Sequence, residues 1–182
     1  HGMCLAETRG HGYAAARWIA DHATQLGGRA GEVLVAGQLL LCPVTDADFS
    51  RPSYTENADG YFLTRSLMFW FWDLYCSPAD RDDPRASPLR GRLDGLPPAF
   101  VGTCEFDPLR DGGVAYAEAM AAAGVSVEQL RAHGQFHSSF TMVDVIISGG
   151  PGRARMAEAL RGFAGLPQQD NVGIAPRVAA AE

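Results

Sequence analysis

Lysine is missing altogether: all fifteen basic residues of the chain are arginine. A Schiff base with a carbonyl substrate or with pyridoxal phosphate needs a lysine amine, so that chemistry is excluded within these 182 residues. Clustered positive charge is missing too. Charged residues make up 20%, the formal net charge is −6, and there is no basic stripe or arginine-rich run to neutralise phosphates, which argues against a nucleic-acid partner. No run of eighteen apolar residues exists. The most apolar windows are Val33 to Val44 and Leu67 to Leu74, and the first residues are not a charged region followed by an apolar core. The expectation is a soluble, cytoplasmic protein without a membrane span or visible export signal. Cysteine is sparse: Cys4, Cys42, Cys76 and Cys104 fit neither a Cys-x-x-Cys metal clamp nor a dense secreted framework, so they are expected to be reduced and buried. Internal repeats and low-complexity blocks are absent.

The composition does supply a core. With 47% apolar residues, 182 residues suffice for one domain and suggest no second. Tyr13 to Leu26 sets Trp18, Ile19, His22 and Leu26 on one helical face, with Gly27-Gly28 as a stop. Val33 to Pro43 is a continuous apolar run of the kind found in strands buried on both faces of a parallel sheet. Thr45 to Gly60 is polar and turn-rich, after which Thr64 can cap an aromatic helix reaching about Cys76. Five prolines and many charges make Ser77 to Pro98 a surface loop.

A short strand, Ala99 to Thr103, runs into Glu105-Phe106-Asp107-Pro108 and places Asp107 at a strand's carboxyl end. A helix from about Asp111 to Ala123 stops at Gly124, Val125 to Ala132 is a strand, and Gly134 to His137 is a loop. A last helix near Arg153 to Phe163 should bury Met156, Leu160 and Phe163. The expected division is one domain over residues 1–166 and a loosely attached tail over 167–182. Strands alternating with helices predict an α/β fold, a mainly parallel sheet with helices on both faces, whose chemistry gathers at the carboxyl ends of the strands. Asp107 and His137 both sit at such ends.

An aspartate and a histidine thirty residues apart mean little alone; the surrounding order carries more. The run Glu105-Phe106-Asp107-Pro108-Leu109-Arg110-Asp111-Gly112, then a helix with Tyr116, a strand, and Gly134-Gln135-Phe136-His137, resembles the acid-to-base segment of the hormone-sensitive-lipase family of carboxylesterases. The likeness extends upstream through Leu41-Cys42-Pro43-Val44-Thr45-Asp46, Glu56 to Tyr61 and Asp83 to Leu89, covering about Tyr13 to Phe163.

That resemblance implies an α/β-hydrolase fold with its N-terminal part and cap incomplete, and a Ser-His-Asp acyl-enzyme mechanism without metal or organic cofactor. Asp107 would orient the imidazole and stabilise its charged form; His137 would take the serine proton and hand it to the leaving alcohol. Ser138 stands where the family usually has glycine after the histidine. Asp111 is the nearest rival for the acid, read instead as part of the next helix's first turn. His1-Gly2 is half of the family's His-Gly-Gly-Gly oxyanion turn, which makes Gly2 a candidate backbone donor. A small-molecule ester is the implied substrate, Met68 and Trp72 are the candidate pocket residues, and homodimers are common in the resembled family. The wider aromatic group, Phe62, Phe69, Trp70, Phe71, Trp72 and Tyr75, could line an acyl or alcohol pocket, though most of it is expected to be core.

The nucleophile is the conspicuous gap. The family needs Gly-x-Ser-x-Gly at a strained strand-to-helix turn, and no such pattern occurs. The elbow should follow Val33 to Gly37, yet Gln38 already resembles the start of the following strand, and parallel neighbours need a crossover of a dozen or more residues. A segment is therefore expected to be absent between Gly37 and Gln38, with similar joints after Gly2 and His11. The chain as written could join pieces of a longer protein, have been shortened, or come from a gene that lost these parts; the first is favoured. Cys104 is half an elbow and is read as a buried cysteine. A non-catalytic α/β-hydrolase-fold protein serving ligand binding or assembly is the alternative to an esterase.

Overall fold

The strand Ala99–Phe106 (β2) organises everything around it, because its first six residues are all buried. Such burial requires cover on both faces and a partner on both edges, which explains the run Ala-Phe-Val-Gly-Thr-Cys in place of an alternating pattern. In this computed structural model, which describes residues 35–143 and 145–167, the partners are Gln38–Leu41 (β1) and Val127–Phe136 (β3). Both pair with β2 in parallel, in the order β1-β2-β3, with Gln38 opposite Ala99 and Ala99 opposite Val127.

Alternation along β2 sends side chains to two separate cores. Ala99 and Val101 pack with Tyr116, Ala117 and Met120 of helix α3 (Arg110–Ala122) and with Leu93 and Val125. Cys104, on the opposite face, packs with Cys42 and Phe140, flanked by Leu41, Leu130 and Met156 of helix α4 (Gly150–Phe163). A third cluster joins Tyr54 of the short helix α1 (Pro52–Glu56) to Met68 and Trp72 of helix α2 (Arg65–Tyr75), closed by Leu63, Cys76 and Leu109. The large aliphatic and aromatic members, such as Val101, Met120, Met68 and Phe140, each contribute roughly 1.5–3 kcal/mol over their exposed state. Thr64 caps α2 as its sequence position suggests, its hydroxyl accepting the Leu67 amide at 3.2 Å.

The structure departs from the sequence reading in five places. Of the apolar run before Pro43, the described part, from residue 35 on, is strand only over Gln38–Leu41 and only half-buried there, since among the described residues β1 has a strand neighbour on one edge alone. Thr45 to Gly60 holds α1, and Thr45 and Asp46 are buried, the first donating to the Gly112 carbonyl at 2.9 Å and the second paired with Arg51. Ser87, in the loop Ser77 to Pro98, is fully buried, with its hydroxyl donating to the Arg81 carbonyl. β3 runs on to Phe136 through a bulge that sets Cys104 against Ala132 but Phe106 against Phe136. The α4 residues Met156 and Phe163 are half-buried and Leu160 is 48% exposed. The packed face of α4 is centred on Gly152, where a Cβ would stand 2.7 Å from the Phe140 ring, and Leu160 lies off that face.

Helix Tyr13 to Leu26, the joints after Gly2 and His11, Gly2 itself and the tail beyond Pro167 lie outside the described residues. No described helix is long and apolar enough to cross a membrane.

Candidate active site

Asp107 is the first residue beyond β2 and is completely buried. A bare carboxylate there would be costly, so its lone pairs are committed. One oxygen accepts the Leu109 amide at 2.9 Å, and the other meets His137 Nδ1 at 2.9 Å. Its carbonyl accepts from the Asn57 side chain at 3.2 Å, and the neighbouring Pro108 carbonyl accepts the Ser53 hydroxyl at 2.7 Å. Helix α1 thus fastens the turn that carries the acid.

His137 reaches the same point by a different route. The β3 bulge contains Gly134 at φ +69°, a left-handed conformation that glycine adopts freely, and its amide donates to the Glu105 carboxylate at 2.7 Å. Ser138 is also left-handed at φ +65°, so the chain reverses immediately after the histidine into the turn Ser139–Thr141, anchored by buried Phe140. The imidazole stays 21% exposed while its Nδ1 edge is held against a buried carboxylate. An imidazole fixed in this way presents Nε2 as a base, and the carboxylate stabilises the cation formed when a proton arrives.

Asp111 is otherwise engaged, accepting the Ser53 amide at 2.8 Å and the Arg110 guanidinium at 2.8 Å. Its carboxyl titrates below the ordinary range: burial pushes it up, and the bonds from Arg110 and Ser53 together outweigh that. Cys104 is fully buried, 3.5 Å from both Cys42 Sγ and Ser139 Oγ. The Cys42 thiol donates to Cys104, and that bond, reinforced by burial, pushes its titration far above the ordinary thiol range. Cys42 and Cys104 are free and buried, and Cys76 is buried as well.

Beside the dyad lies a cavity of about 280 Å³ whose wall includes Val44, Leu63, Met68, Trp72 and Leu109 together with His137. Met68 and Trp72, singled out from sequence, are therefore brought next to His137. Phe62 and Trp70 are not: they are 66% and 54% exposed, and Phe69 and Phe71 are also exposed, so most of the aromatic group is surface and not core. A helix offers only one face to its neighbours, and the run Met68 to Trp72 puts aromatics all round it. Sequence reasoning missed Ser53 and Asn57 as supports, since their partners are main-chain carbonyls some fifty residues away with no local signature. Among the described residues, the only hydrogen bond to the His137 ring is that of Asp107.

A family model for the alpha/beta hydrolase fold matches residues 12–141, and the chain belongs to that family. Carboxylesterase NlhH of Mycobacterium tuberculosis is 36% identical over 182 positions, covering 81% of this chain and 57% of its own length. Since 81% of 182 residues is about 147, about 35 aligned positions of that relative face no residue here. Ethyl acetate hydrolase of Pseudomonas putida is 40% identical over 126 positions, 68% of this chain and 40% of that protein. A thermostable esterase from Pseudomonas putida ECU1011 superimposes with a TM-score of 0.70 at 37% identity, covering 87% of this chain and 58% of that one. The matched part of the chain therefore spans about 40–58% of the length of these relatives.

Proposed function

We propose that the chain carries the acid and base of a carboxylic ester hydrolase working through a Ser-His-Asp acyl-enzyme. The observation that carries this reading is the 2.9 Å contact between His137 Nδ1 and the buried Asp107 carboxylate, at the carboxyl ends of adjacent parallel strands and beside an apolar cavity. Relatives named carboxylesterase and ethyl acetate hydrolase support it. His137 Nε2 removes the proton from a serine hydroxyl as that oxygen attacks the ester carbonyl. The same proton then goes to the departing alcohol, and a water molecule repeats the sequence on the acyl-enzyme. Asp107 keeps the imidazole in the tautomer with Nε2 free. The apolar cavity takes the hydrocarbon part of a small or medium ester against Met68 and Trp72, and the Gly2 amide contributes to the oxyanion hole.

The serine belongs, in this reading, to a segment between Gly37 and Gln38, because parallel neighbours need a crossover of a dozen or more residues there. The reading extends to a cytoplasmic enzyme, supported by the free buried thiols of Cys42 and Cys104, of the kind a reducing compartment maintains, and to a homodimer, tested by light scattering. The test is hydrolysis of a short-chain p-nitrophenyl ester by the intact protein and its His137→Ala variant. Loss of about 10³-fold or more in kcat is expected, and activity surviving the substitution removes the assigned base. A second reading, a non-catalytic ligand-binding protein, is favoured by one observation: no described hydroxyl is bonded to His137. Intact protein that binds ester analogues without turnover would select it.

A further inference from the structure

We propose that Cys42, Asp107 and His137 form a binding site for a thiophilic divalent cation of the zinc class. One ligand atom from each, the Cys42 sulfur, an Asp107 carboxylate oxygen and a His137 ring nitrogen, lies within 4.8 Å of the other two. A tetrahedral zinc ion, with bonds of roughly 2.0–2.3 Å, holds its donors roughly 3.3–3.8 Å apart, so about 1–1.5 Å of side-chain adjustment closes the cage. Thiolate, imidazole and carboxylate are also the donor types that such ions select over magnesium or calcium.

The backbone at Cys42 points the same way. Cys42 follows β1 with φ +46°, a left-handed conformation unusual for a residue with a side chain, and its amide still donates to the Gly102 carbonyl at 2.8 Å. Strain held in place beside the dyad is what sets the sulfur near Asp107 and His137. Charge balances as well. On binding, the Cys42 thiol proton leaves to solvent, the imidazole proton moves from Nδ1 to Nε2, and thiolate plus carboxylate neutralise the dication, as a buried site requires. A cation seated there occupies the nitrogen that Asp107 orients and so holds the dyad inactive.

This site stands on the geometry alone and is independent of the esterase reading. The test is titration of the reduced, intact protein with cobalt(II) alone, followed by absorption. One equivalent binding with a sulfur-to-cobalt charge-transfer band in the near ultraviolet is expected. Cys42→Ser abolishes the band, Cys104→Ser keeps it, and His137→Ala, at a partly exposed position, weakens binding at least tenfold. Absence of the band at excess cobalt, its survival in Cys42→Ser, or unchanged affinity in His137→Ala overturns the proposal. The p-nitrophenyl ester assay is run separately on chelator-treated, metal-free protein: turnover there without a cobalt band in the titration removes the cation site alone, whereas a band without turnover by the metal-free protein removes the esterase reading alone.

Discussion

Replacing Gly113 by alanine sets two calculable effects against each other at the joint that holds Asp107. Gly113 lies in the first turn of α3, where the helix crosses β2. A Cβ there would stand 2.7 Å from Thr103 Cγ2 and 3.5 Å from the Pro43 ring. On propensity alone the change is favourable, since glycine in a helix costs about 1 kcal/mol relative to alanine. Sterics oppose it more strongly. Thr103 is 3% exposed and β-branched, so it cannot rotate away freely, and Pro43 blocks a shift toward β1. Overpacking of this kind costs about 1–3 kcal/mol. The net expectation is a loss of up to about 2 kcal/mol, which at a urea slope of about 2 kcal/mol/M lowers the denaturation midpoint by up to about 1 M. The control is Gly113→Ala combined with Thr103→Ser, which removes the opposing methyl and should recover most of the loss. A stabilised single variant, or a double variant no better than the single, would refute the claim that α3 sits against β2 at this spacing.

Further outcomes follow from individual contacts. Thr64→Ala removes the hydroxyl that accepts the Leu67 amide and should cost about 1 kcal/mol in chemical denaturation, while Thr64→Ser should cost much less. Met68→Ala should cost about 2–3 kcal/mol, the low end for a buried methionine, because the side chain already borders open cavity; a loss near 5 kcal/mol would mean the cavity is filled. Asp111 has a depressed folded-state titration, so its contribution is fully present above the unfolded value of about 4 and is lost as the pH falls through the folded value. The stability gap between the parent chain and Asp111→Asn should accordingly be constant from pH 7 to 5 and narrow steadily below pH 4, as followed by urea midpoints; a gap unchanged down to pH 2 would contradict the assigned bonds.

Much of this architecture was legible in the order of residues. A threonine before an aromatic run marks a helix start, Gly124 marks a helix end, and a short apolar stretch after Pro97-Pro98 marks a strand. Those signals are local, depending on hydrogen bonds and side-chain periodicity within a few residues, and α2, α3 and β2 bear them out. Asp107 and His137 were also legible, through the family resemblance of the runs Glu105 to Gly112 and Gly134 to His137 that hold them, more than through their places just past a strand.

Contacts between distant segments were not legible, because nothing local encodes them. The β3 bulge depends on the Glu105 carboxylate meeting the Gly134 amide twenty-nine residues on. Ser53 and Asn57 act through carbonyls of the Asp107 turn, and the left-handed Cys42 acquires neighbours only once β1 lies beside β2. Residue types and their spacing along the chain determined which groups could perform acid-base chemistry. Parallel pairing of β2 with β3, and the packing of α1 beneath the aspartate turn, decided that two of them meet at 2.9 Å in a buried corner. Sequence specifies local conformation and chemical identity; proximity between residues thirty apart exists only when the sheet is assembled.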